Sequence, residues 1–231
     1  MTVVAAAVAG PGCEAPGTGL LVEPVAAVSS LAFVLAGVLI VLRHRTALRR
    51  GRADGPGTMP SSLAGYASLV VAVGLGSLVQ HGPNPAYADL LHDLPLVATL
   101  AFVAADAVAA LRGRARRWWW WAAPTLALVP LILVAPRAGD LAQAGVAVLA
   151  VGATLLRARS FPAVRREVCW AVGLLAVGGV VGTLSRAGWP LCDPHSLWQG
   201  HALWHVLAAA ALVLLAPVIG TNHERPEPHG E

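Results

Sequence analysis

The chain has 231 residues, of which 57% are hydrophobic and only 12% charged, and its mean hydropathy is +0.68. That composition excludes an ordinary soluble domain and describes an integral membrane protein. The net charge of +4 and the pI near 9.6 come from 16 basic residues, all of them arginine. Their placement, below, accounts for the charge without a nucleic-acid partner.

In chain order, the opening MTVVAAAVAG is mildly apolar but lacks a basic leading region and is too short for a signal peptide. Stretches of bilayer length then recur at about 24–42, 61–81, 87–111, 118–135, 139–156, 168–187 and 197–219. The expected fold is therefore all-α, a bundle of seven transmembrane helices over 24–220. An N-terminal segment, 1–23, precedes it, and a polar, Pro-rich tail, 221–231, is expected to be disordered. No internal repeat of the transporter kind is visible.

Five arginines (43, 45, 49, 50, 52) follow the first stretch, four (112, 114, 116, 117) the third and four (157, 159, 165, 166) the fifth. Only Arg137 and Arg186 fall on the opposite side. By the positive-inside rule the N-terminus lies outside and the C-terminus in the cytoplasm. The run WWWW at 118–121, directly after RGRARR, reads as a helix entering the membrane interface. His44 in the first arginine-rich loop, and His223 and His229 in the tail, are not ligand candidates. The absence of lysine beside abundant Ala, Val and Arg suggests a GC-rich bacterial coding sequence and hence a plasma membrane.

Ionisable groups inside such stretches are costly, so they are read as functional by default. Ser77 and His81 lie four residues apart at the outer end of the second stretch, on one helix face. Asp93 falls in the first turns of the third. His201 and His205 repeat the spacing of four in the first turns of the seventh. With the orientation taken from arginines alone, all five converge at one depth. Three neutral imidazoles leave a fourth tetrahedral position on zinc for a water, which the metal acidifies while it polarises a carbonyl. Asp93 is the expected proton carrier. Ser77 is the expected hydrogen-bonding partner of the metal water or the oxyanion. His92, Asp89 and Gln199 are candidate partners that orient the imidazoles. Cys13 and Cys192 both fall on the outer side, either as a disulfide or as two unpaired thiols, whereas Cys169 is expected to be free.

These residues sit in segments that resemble the alkaline ceramidase family, within the superfamily that also contains adiponectin-type and progestin-type receptors. GCEAPGTGLLVEPVAAVSSLAFVLAG resembles that family's Cys-Glu segment and first helix. GLGSLVQH resembles its Gly-Ser-x-x-x-His, LLHDLP its Leu-Asp-Glu-Leu-Pro, and CDPHSLWQGHALWHVL its last Cys segment and His-x-x-x-His. Spans 4 to 6 carry little of the resemblance. It implies zinc on His81, His201 and His205, a role for Ser77 and a disulfide between Cys13 and Cys192. It further implies a zinc-dependent hydrolase that cleaves the acyl amide of a ceramide-like lipid drawn from the bilayer. No nucleic-acid or protein partner is expected.

Two departures accompany the resemblance. An ungapped comparison places the family's acidic pair on His92 and Asp93, so the catalytic acid passes to Asp93 with a one-residue shift, which rotates a helix position by about 100°. Of the family's calcium loop, only Glu14 and Glu23 remain as oxygen ligands, with Pro11, Gly12 and Pro16 beside them, so calcium dependence is not expected. Two further readings compete: a receptor-like bundle with structural zinc, and a transporter using His and Asp as relays. The latter would spread its polar groups through the membrane depth.

Overall fold

The computed structural model describes residues 13–50 and 59–221. The opening decapeptide, the middle of the first arginine-rich loop and the tail with His223 and His229 lie outside the described residues.

Among the described residues the fold is all-helical: α1 (Pro24–Arg49), α2 (Ser61–His81), α3 (Ala88–Leu111), α4 (Trp119–Val134), α5 (Pro136–Ser160), α6 (Arg165–Leu184) and α7 (Gly200–Leu215). Short 3-10 turns lie at Pro162–Val164 and Ala216–Val218. Six of the helical segments are long and apolar enough to cross a membrane, and α4 is the shorter exception. Its 16 residues rise about 24 Å, against about 30 Å of hydrocarbon core. Pro124 and Pro130 lie inside it, and it stops one residue before Pro136.

Several helix boundaries differ from the sequence reading. α1 continues to Arg49, because RHRTALR offers good helix formers and no breaker, so Arg43, His44 and Arg45 are helical rather than in a loop. α5 extends past both expected ends, from Pro136 at its first turn through LLRARS to Ser160. α7 begins only at Gly200, because the Gln199 amide donates to the carbonyls of Asp193 (3.0 Å) and Ser196 (2.7 Å) and holds the preceding residues in a loop.

α1 packs between α2 and α7, α6 lies on α7, and α3 touches α2, α4 and α5. The core joins Phe33 and Ile40 of α1, Tyr66 and Val70 of α2, Phe102 of α3 and Ala208 and Val213 of α7. The Tyr66 hydroxyl donates to the Leu212 carbonyl at 2.9 Å and ties α2 to α7. Leucines and valines such as Leu35, Val134, Leu141, Val148 and Val177 point outward, as on a lipid-facing surface.

Two features set the helices around the site. Pro95 has no N–H, which frees the Leu91 carbonyl of its helical partner one turn earlier. That oxygen sits against Gly76, where an added Cβ would lie 2.0 Å from it, so α2 and α3 approach through a residue without a side chain. At the opposite end, Asp106 accepts from Arg157 Nη1 (2.9 Å) and from the Gly220 N–H (3.1 and 3.2 Å). Arg157 also donates to the Thr221 carbonyl and hydroxyl. Arg116 Nε stands 3.5 Å from Asp106, with its guanidinium 3.6 Å over the Phe102 ring. Arg157 is therefore no loop charge: it is 2% exposed and joins α3, α5 and the segment after α7.

Candidate metal centre

The start of α1 organises this end of the molecule. Helix N-termini leave backbone N–H groups without intrahelical acceptors. Here the Glu14 carboxylate accepts from Val25 N (2.7 Å) and Ala26 N (3.0 Å), placing negative charge where the helix dipole favours it. The strand of chain carrying Glu14 is itself anchored. Cys13 and Cys192 form a disulfide with an S–S distance of 2.02 Å and a Cα–Cα distance of 5.4 Å, and Ala15 N donates to the Pro194 carbonyl. Cys169 is free and exposed.

With the cap supplied by Glu14, the side chain of Glu23 is available for another partner. Its backbone N–H donates to the His81 carbonyl at 2.8 Å, and its carboxylate Oε2 accepts from His81 Nδ1 at 2.5 Å. His81, at the C-terminus of α2, is thus tied twice to the residue that opens α1. A carboxylate on Nδ1 fixes the tautomer and leaves Nε2 as a lone pair. The Glu14 carboxylate is thus engaged with α1 and Glu23 Oε2 with His81, while Glu23 Oε1 is buried without a hydrogen-bond partner among the described residues.

His81, His201 and His205 come together as expected, with one ligand nitrogen from each within 4.8 Å of the others. Nε2 of His201 is 3.2 Å from Nε2 of His81. Tetrahedral zinc with Zn–N bonds of 2.0–2.1 Å requires nitrogens about 3.3–3.4 Å apart, so this spacing suits a shared cation. Ring centroids are 4.9 Å apart for His81 and His201, 5.2 Å for His81 and His205, and 4.6 Å for His201 and His205. His81 and His205 are buried and His201 is partly exposed.

Ser77, one turn before His81, is buried, with Oγ 3.4 Å from His205 Nε2 and 2.9 Å from the Ser30 hydroxyl. His205 Nδ1 meets the Ser29 hydroxyl at 2.8 Å. Asp93 is bonded through Oδ1 to Nδ1 of His92 at 2.8 Å, and the His92 ring stands edge-on to His81 with centroids 6.3 Å apart. Both are partly buried. His92 thus stands beside His81, with Asp93 bonded to its Nδ1 rather than to any of the three clustered histidines.

The groups that orient the imidazoles are not the expected ones. Asp89 accepts from Gln80 Nε2 at 3.0 Å, Gln199 braces its own loop, and His92 is bonded to Asp93. Glu23 and Ser29 hold His81 and His205 instead. Glu23 was visible in the sequence only as a remnant acid of a calcium loop. Ser29 carried no signal, because serines recur in membrane helices without a site.

The donor set fits a divalent metal of the zinc type: neutral imidazole nitrogens, two with their second nitrogen anchored and one partly open to the surroundings. Compared with known proteins, the chain matches no protein-family profile and no curated protein sequence.

Proposed function

We propose that the chain is a seven-span, zinc-dependent membrane hydrolase that cleaves the acyl amide bond of a ceramide-like lipid, in keeping with its resemblance to the alkaline ceramidases. The observation that carries this reading is the convergence of the His81, His201 and His205 nitrogens on one point, beside a buried hydroxyl and a carboxylate-bearing pair. In this reading the N-terminus and the metal centre face outward, the arginine-rich ends of the helices face the cytoplasm, and the membrane is a bacterial plasma membrane. The lipid enters from the outer leaflet.

A zinc ion held by the three imidazoles would supply Lewis acidity and would lower the pKa of a water toward neutrality. His81 and His205 would hold the ion through Nε2, since Nδ1 of each is taken by Glu23 and Ser29. Water adds through oxygen to the amide carbonyl, and the C–N bond then breaks to a carboxylate and an amine. Asp93 accepts the water proton and returns it to the leaving nitrogen, with His92 steadying the carboxylate. Ser77 offers its hydroxyl to the oxygen that develops charge at the reacting carbonyl. Partial exposure of His201 favours a substrate-accessible centre over a closed, purely structural one.

The test is Asp93→Asn, assayed on detergent-purified chain with fluorescent N-acyl sphingoid and other N-acyl lipids. The variant keeps its metal and loses about 10²- to 10⁴-fold in turnover, the usual worth of a positioned acid–base group. Metal retained with no hydrolysis of any acyl amide by the native chain would instead establish the receptor-like reading, with zinc as a structural ion.

A further inference from the structure

Ser29 and Ser30 stand next to each other on α1, and a proton inventory assigns each hydroxyl a partner. Each hydroxyl has one proton to donate. Ser29 Oγ lies 2.8 Å from the Ala26 carbonyl, which can only accept, so Ser29 directs its proton there. Ser29 Oγ then accepts from His205 Nδ1–H at 2.8 Å. Ser30 Oγ donates to Ser77 Oγ at 2.9 Å. With Nδ1 committed to Ser29, His205 turns the lone pair of Nε2 toward the site, 3.4 Å from Ser77 Oγ. His81 Nε2 joins it as a second acceptor, since Nδ1 donates to Glu23. Imidazole acceptors gathered around one point suit a cation between them.

We infer that Ser29 is a positioning residue of the metal centre. It fixes the tautomer of His205 so that Nε2 faces the ion. This deepens the proposed function and rests on its metal reading.

The test is zinc affinity of the full chain in detergent, measured by competition with a chromogenic chelator, together with the visible spectrum of the cobalt-substituted protein. Ser29→Ala weakens zinc binding by about tenfold to a hundredfold, the usual cost of removing a ligand's orienting partner, and alters the cobalt spectrum. Ser29→Thr, which keeps the hydroxyl, retains native affinity and spectrum, and Ser29→Cys falls between. Size-exclusion profiles and thermal transitions of the metal-free variants verify folding. Native affinity and an unchanged cobalt spectrum in Ser29→Ala would overturn the inference. Failure of the native chain itself to bind zinc is read separately, and would remove the proposed function along with it.

Discussion

Replacing Glu23 by Gln tests whether the buried carboxylate behind His81 tunes the metal centre. The two residues are nearly isosteric, so packing at this 6%-exposed position is preserved. The amide oxygen can still accept from His81 Nδ1, but the bond, 2.5 Å in the native protein, loses its charge assistance. Charge-assisted hydrogen bonds are roughly twice as strong as neutral ones. Removing an orienting partner costs about 10- to 100-fold in metal affinity, or about 1.4 to 2.8 kcal/mol. Glu23→Gln is expected near the tenfold end, because half of the interaction survives, and Glu23→Ala near the hundredfold end. The assay is zinc competition against a chelator of known affinity at fixed pH, with thermal unfolding of the metal-free proteins as control. Equal affinities for native chain and both variants would refute the argument that Glu23 orients His81 for a metal.

Further outcomes follow from the packing of the bundle. Asp106→Ala strands the buried Arg157 guanidinium and should cost about 3–5 kcal/mol in unfolding assays, whereas Asp106→Ala with Arg157→Leu recovers part of that loss. Replacing Cys13 and Cys192 with serine opens a link spanning 179 residues and should lower stability by about 2–5 kcal/mol, seen as a lower melting temperature that reducing agent reproduces in the native chain. Gly76→Ala drives a Cβ into the Leu91 carbonyl and forces α2 from α3. A destabilisation of about 1–3 kcal/mol is expected, with weakened zinc binding because His81 lies only five residues further along α2.

The histidine cluster was legible in the sequence because His81, His201 and His205 interrupt apolar helices, where an ionisable group is conspicuous, and because a spacing of four fixes one helix face. The helices were legible from the length of their apolar runs, less so at their ends, where Gln199 holds back the start of α7 and good helix formers prolong α1 to Arg49. The groups that orient the imidazoles were hidden for a different reason. Ser29 and Ser30 resemble the many membrane-helix serines that only bond back to their own turn, and both do so through Ala26. Their second bonds reach α7 and α2, contacts that no local pattern encodes. Glu23 looked like part of a loop, and its partner is 58 residues away. Arg157 was counted with the charged ends of helices, although Asp106, 51 residues earlier, draws it into the interior.

Metal content of the detergent-purified chain, measured by mass spectrometry beside a His201→Ala, His205→Ala double variant, tests the central claim most directly. The account predicts about one zinc per native chain and none in the variant. A native chain purified without chelators that carries no zinc and takes none up would contradict it, leaving three converging imidazoles with no metal to hold.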